Sequence, residues 1–207
     1  MNVAILIGAV VLAGMCMGWF FHRRSVRQIT PILRQLAAEG NGIVVSQGPF
    51  VMPKLVFPYS GTTVEVSCAS TGSQGESIRY TYVVFNGLAP KNFEFRILPR
   101  SLQTLTDELA RFKKPFASGT DRIKDRLSIY TNNDRLMKTV LTERIQTDLL
   151  FWADGEKLNR ISDIRNYDGK MIYAVTDTLK NHKEFKLLIN TACSFFDAVK
   201  NMEADDI

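Results

Sequence analysis

Metal-ligand and redox chemistry is almost missing from this chain. It has two histidines, His22 and His182, and three cysteines, Cys16, Cys68 and Cys193. No Cys, His, Asp or Glu spacing suits zinc, so no metal is expected. Cys68 and Cys193 could pair in an oxidising compartment, but a domain of this size does not require it, and reduced, partly buried thiols are the expectation. No Gly-x-Ser-x-Gly elbow is present, which removes that class of hydrolase nucleophile. Ser70 to Glu76 carries glycines but has no lysine and no following helix, so it does not read as a phosphate cradle, and no cofactor is expected. Cys68 falls on a strand face with no evident base to activate it. Asp121 with Asp125, and Asp163 with Asp168, sit at loop and turn positions and are expected to be solvated carboxylates. Internal repeats and low-complexity linkers are also absent.

One further absence is informative. From Val3 to Phe21 there is no charged side chain, and Arg23, Arg24 and Arg27 follow at once. Nineteen helical residues span about 28 Å, close to a hydrocarbon core of about 30 Å. A cleaved signal peptide fits less well, because Met1-Asn2 bring no basic side chain and no Ala-x-Ala site precedes His22. Leu12-Ala13-Gly14 resembles a lipobox, but Met15 intervenes before Cys16. The expectation is an uncleaved transmembrane anchor over 1–21. With the basic residues after it, the N-terminus lies outside and the body lies in the cytoplasm, at a bacterial inner membrane. Gly14 and Gly18 have the spacing of a helix-packing pair, which alone specifies no dimer.

The formal charge of +5 is uneven. Between residues 22 and 54, Arg23, Arg24, Arg27, Arg34 and Lys54 stand against Glu39 alone. Such a cluster suits anionic lipid head groups, at about 1 kcal/mol per basic residue near the surface. Arg23, Arg24, Arg27 and Arg34 are the candidate membrane-surface contacts. The rest of the chain is nearly balanced, so no nucleic-acid partner is expected. A second basic cluster, Arg111, Lys113, Lys114, Arg122, Lys124 and Arg126, has Asp121 and Asp125 among it and reads as a solvated, ion-paired surface.

Val26, Ile29, Leu33 and Leu36 recur at helical spacing over 22–39, interrupted by Pro31, which predicts a kinked or restarted juxtamembrane helix within 22–42. Its apolar stripe has two candidate beds, the bilayer and the domain, and the basic opposite face favours the bilayer. Alternation predicts strands over 62–68, 78–85 and 92–98, the first two as an antiparallel hairpin. Ser101 caps a predicted helix over 102–112. A strand over 127–130 precedes a helix from 134, recapped at Thr142, with Ile145, Leu149 and Trp152 on one side. Residues 158–165 and 170–175 form a predicted hairpin around Asp168-Gly169. A long helix over 180–202 carries Phe185, Leu188, Ile189, Ala192, Cys193, Phe196 and Val199 in one stripe. Residues 203–207 form an acidic tail.

The order from Leu127 onward, a strand, Asn132-Asn133-Asp134, a helix, Leu141-Thr142-Glu143, a second helix, a hairpin and a closing helix, resembles bacterial single-pass membrane-anchored proteins of unknown function. The likeness covers roughly 60–200 and rests on caps and turns. It implies a membrane-tethered cytoplasmic domain and brings no catalytic residues.

The sequence therefore predicts an α+β protein: an N-terminal transmembrane helix, then a cytoplasmic domain over 43–202 with an antiparallel sheet in two parts, covering helices and a long C-terminal helix. The expected role is a non-catalytic binding or scaffolding module, with membrane lipids and an unidentified protein as partners. Two alternatives stay open. One is a lipid- or amphiphile-binding domain with a pocket between the sheet and the C-terminal helix. The other is an enzyme whose site carries no familiar motif.

Overall fold

The computed structural model describes residues 3–48, 51–71, 78–87, 92–102, 112, 115–116, 120–154, 160–167, 169–176, 179 and 181–202. Eight antiparallel strands form one continuous sheet in the order β1-β2-β3-β4-β8-β7-β5-β6. They are β1 (Ile43–Val45), β2 (Lys54–Tyr59), β3 (Thr62–Thr71), β4 (Ile78–Asn86), β5 (Phe95–Pro99), β6 (Leu127–Thr131), β7 (Ile161–Tyr167) and β8 (Lys170–Thr176). Among the described residues, five α-helices accompany them, α1 (Val3–Glu39), α2 (Asp121–Arg126), α3 (Asp134–Val140), α4 (Glu143–Ala153) and α5 (His182–Lys200), with a 3-10 turn over Arg100–Leu102.

The expected two-part sheet is corrected to one. The first four strands form a meander, and β4 then pairs with β8 from Tyr80–Thr176 to Asn86–Lys170. That pairing joins sequence-distant halves, and no local pattern announces it. The hairpins themselves follow local chemistry. Gly169 takes φ 71° between β7 and β8, a conformation that glycine adopts without a Cβ penalty. Val64, Val66 and Cys68 of β3, Val83 and Phe85 of β4, and Met171, Tyr173 and Val175 of β8 are all buried, at the period of two that a one-sided core requires.

The helix caps match their residues. Asn133 Oδ1 accepts from Leu136 N at 3.1 Å, Thr142 Oγ1 from Ile145 N at 3.4 Å, and Asn181 Oδ1 from Glu184 N at 3.0 Å. Each satisfies a helix-start N–H that has no partner within the helix. On α5, Phe196 stacks on Phe85 with ring centroids 4.4 Å apart, and Phe195 meets Phe95 and Tyr173. The predicted helix over 102–112 falls largely outside the described residues, as do the Ser70–Glu76 loop beyond Thr71 and the tail over 203–207.

The largest correction concerns α1. It is one helix from Val3 to Glu39 and continues through Pro31, which lies on its exposed side. Ile29, Leu33, Leu36 and Ala37 are buried in the core. The stripe predicted over 22–39 therefore packs on the domain, and no separate juxtamembrane helix exists. Among the described residues, no helix is long and apolar enough to cross a membrane. The transmembrane anchor over 1–21 is withdrawn on that finding, together with the N-terminus-out orientation and the single-pass inner-membrane placement. The physical reason lies in α1 as a unit: its charged, amphipathic second half belongs to the folded body, whereas a span was read from its first half alone.

Candidate functional site

Three elements diverge at one end of the sheet and leave an open groove of about 520 Å³. Strand β2 supplies its floor with Leu55, Phe57 and Tyr59. The last turn of α1 contributes Leu36, Glu39 and Gly40, and α5 contributes Lys186, Ile189, Asn190, Cys193 and Ser194. Arg144, from the start of α4, completes the rim. The volume falls within the range of about 300–1,000 Å³ typical of small-molecule sites.

The α5 stripe divides between two roles. Phe185, Leu188, Ala192, Phe196 and Val199 enter the core, whereas Ile189 is half-buried and faces the groove beside Cys193. The close approach of α1 to the sheet depends on Gly42. A Cβ there would lie 2.9 Å from the Val56 carbonyl oxygen and 3.0 Å from Phe57 Cβ. Gly40 N donates to Leu36 O and Gly42 N to Ala37 O, so the chain leaves α1 and enters β1 in a tight double turn.

The groove is polar at its two ends and apolar between them. At one end Lys186 Nζ donates to Glu39 Oε2 at 2.8 Å. His182 Nε2 lies 2.8 Å from Glu39 Oε1, outside hydrogen-bond geometry. The Lys186 hydrogen bond holds the Glu39 carboxyl below the usual carboxylate range. Arg144 donates to Ser194 Oγ at 3.4 Å, and no carboxylate pairs with it among the described residues. At the other end Tyr59 donates to Asp197 Oδ2 at 2.6 Å, Ser60 Oγ meets Asp197 Oδ1 at 3.4 Å, and Lys200 donates to the Ser60 carbonyl at 2.6 Å.

The titratable side chains of the groove floor and wall are held in their protonated forms. Burial, reinforced by the Asp197 hydrogen bond, raises the Tyr59 phenol well above its ordinary range. Burial, with the Asp197 charge, pushes the Cys193 thiol up to about 12, so it stays protonated and a poor nucleophile. His182 and Cys193 are eleven residues apart on α5, about 16 Å along the axis, so they form no Cys–His dyad. Cys68 is likewise inert: burial raises its thiol to about 11, and its neighbour is Thr81 Oγ1 at 3.8 Å. Among the described residues, no group of three or more His, Cys, Asp or Glu side chains is placed to hold a metal ion.

The four arginines singled out in the sequence lie elsewhere. Arg23, Arg24, Arg27 and Arg34 are exposed along α1, on the side away from Ile29, Leu33 and Leu36, and none lines the groove. The Arg23 guanidinium sits 4.9 Å from the Trp19 ring centroid. On the same helix Ile7, Val10, Leu12, Met15 and Phe20 are exposed. The other carboxylate candidates are ion-paired. Asp163 is bound by Arg96 at 3.0 Å and Arg165 at 3.2 Å, Asp121 by Lys124, and Asp125 by Arg100. Asp168 lies outside the described residues. In the second basic cluster Arg122 and Arg126 pair with Asp154, as a solvated surface would, while Arg111, Lys113 and Lys114 lie outside the described residues.

Glu39, Arg144 and Lys186 were not legible as a site. They come from three helices, and each alone is an ordinary surface charge. The sequence signal for the groove is limited to the apolar Ile189 beside Lys186 and Asn190 on the α5 stripe.

No protein-family model matches the sequence, and no curated protein matches it. Among solved structures, the fold is similar to that of the mycobacterial trehalose monomycolate transport factor A, TtfA, with a TM-score of 0.56 over 84% of this chain and 94% of that chain. Sequence identity across the match is 11%, so what the two share is the fold.

Proposed function

We propose that this protein is a non-catalytic lipid-binding module whose groove between β2, α1 and α5 receives the chain of an amphiphile. The observation that carries the reading is the groove itself: an apolar floor of Leu36, Leu55, Phe57 and Ile189, open to solvent, with Glu39, Arg144 and Lys186 charged along its rim. The thiol that lines it, Cys193, is buried and stays protonated, far along α5 from His182. The fold likeness to a trehalose monomycolate transport factor supports a lipid-related role. The exposed arginines of α1, Arg23, Arg24, Arg27 and Arg34, add a contact for anionic lipid head groups, next to the exposed apolar side chains of the same helix.

Calorimetric titration of the full chain with monododecanoylglycerol, an uncharged single-chain amphiphile, tests the groove. Binding should be saturable below the micelle concentration and lost in Ile189→Asp, with little change in melting temperature. Undiminished binding by that variant would place the lipid elsewhere. For the arginines, co-sedimentation with phosphatidylglycerol vesicles should weaken as salt rises and fall further when the four are changed to glutamine. Equal co-sedimentation of parent and variant would refute the contact.

A further inference from the structure

We infer that the groove selects single-chain amphiphiles with an anionic head, bound by Lys186, and that Glu39 occupies the head position when the groove is empty. The inference rests on the groove being an amphiphile site.

The charge arrangement motivates it. Lys186 from α5 and Arg144 from α4 line the groove with Glu39 as the carboxylate among the lining residues, so that lining carries a net positive charge. Arg144 donates to the Ser194 hydroxyl, eight residues along α5 from Lys186, and among the described residues no carboxylate neutralises it, so it adds positive potential along the groove. Lys186 is satisfied by Glu39 at 2.8 Å, in a pair that stays exposed to solvent. An exposed pair of this kind is weak and exchangeable, so an incoming carboxylate, sulfate or phosphate monoester can take over Lys186 at little cost. The apolar floor begins directly beside that pair, with Leu36 one turn before Glu39 and Ile189 one turn after Lys186. A head held by Lys186 therefore places an alkyl chain beside Leu36 and Ile189 and onto Leu55 and Phe57. Glu39 is the intramolecular counterpart of that head. It keeps the lysine neutralised in the empty groove and sets a threshold that an uncharged amphiphile gains nothing by crossing.

The test compares ligands of one chain length and different heads on the full protein by calorimetry: dodecanoate, monododecanoylglycerol and, as a head without a tail, acetate. Dodecanoate should bind about fivefold more tightly than the neutral ester, an advantage on the scale of one or two exposed ion pairs, and the gap should shrink in high salt. Decanoate should bind about fourfold less tightly per methylene removed. Lys186→Gln should abolish the preference, so that dodecanoate and the neutral ester bind the variant equally. Glu39→Gln should strengthen dodecanoate binding by about threefold, because Lys186 then lacks a competing carboxylate. Both positions are exposed, and unchanged melting temperatures would confirm that the variants fold. Equal affinities for dodecanoate and the neutral ester overturn the anionic-head assignment alone. Weaker dodecanoate binding in Glu39→Gln overturns the role given to Glu39. Binding of neither amphiphile, or acetate binding as tightly as dodecanoate, overturns the groove reading and the inference together.

Discussion

Phe196→Ala probes the packing beneath the groove without touching the groove itself. Phe196 is fully buried, stacks on Phe85 at 4.4 Å and meets the Tyr59 ring edge-on at 6.5 Å. Its truncation removes a ring from a close-packed core that relaxes only partly, at a cost of about 3–5 kcal/mol. The lost stacking is included in that figure and accounts for about 0.5–1.5 kcal/mol. A domain of this kind has about 5–15 kcal/mol in total, so the variant should be marginal. For a chain of this size each kcal/mol moves the melting temperature by about 2–4 °C, so the loss should be roughly 6–20 °C by calorimetry or circular dichroism. Lys200→Ala is the control. Its ammonium donates to the Ser60 carbonyl at an exposed position, and its removal should cost about 1 kcal/mol or less. The groove variant Ile189→Asp gives the converse pattern, with lost amphiphile binding and a nearly unchanged melting temperature. A Phe196→Ala melting temperature within about 3 °C of the parent would refute the assignment of Phe196 to the core.

Gly42→Ala should destabilise by about 1–3 kcal/mol in urea unfolding, because the new Cβ meets the Val56 carbonyl and Phe57 Cβ; an unchanged midpoint would contradict the close α1–β2 approach. Asn181→Ala should cost about 1 kcal/mol through the lost cap of α5, whereas Asn181→Asp should retain most of the stability. Native Cys68 and Cys193 should resist a thiol reagent at neutral pH and react fully only after unfolding, and rapid labelling of either in the native state would contradict their burial. The same thiols make stability fall in alkali. Their folded pKa values are raised from an ordinary 9.0 to about 11 and about 12, so the unfolded chain releases protons that the native chain keeps. The contribution is complete below pH 9 and is lost as pH rises through 11 to 12. Cys68→Ala should flatten that decline in pH-dependent urea melts, and an identical decline in the variant would place its cause elsewhere.

Local chemistry settled much of the fold in advance. Alternation in Thr62 to Cys68 and in Tyr80 to Phe85, the turn at Gly169, and the caps at Asn133 and Thr142 are all properties of a few neighbouring residues, and the structure follows them. The α5 stripe was equally legible, because helical periodicity is local. Sheet continuity was not, since the β4–β8 pairing joins residues roughly ninety positions apart and depends on which hydrophobic faces meet. The apolar run from Val3 to Phe21 misled for a related reason. A window average registers only its own composition, whereas α1 extends to Glu39 and buries Ile29, Leu33 and Leu36 against the sheet. Sequence alone also placed the charges correctly at the surface but could not group them. Glu39, Arg144 and Lys186 become one rim only when α1, α4 and α5 converge over β2. Ile189 and Phe196 are equivalent in periodicity, and only the tertiary packing makes one a wall of the groove and the other a stacked core ring, because burial is set by what lies opposite a side chain in space.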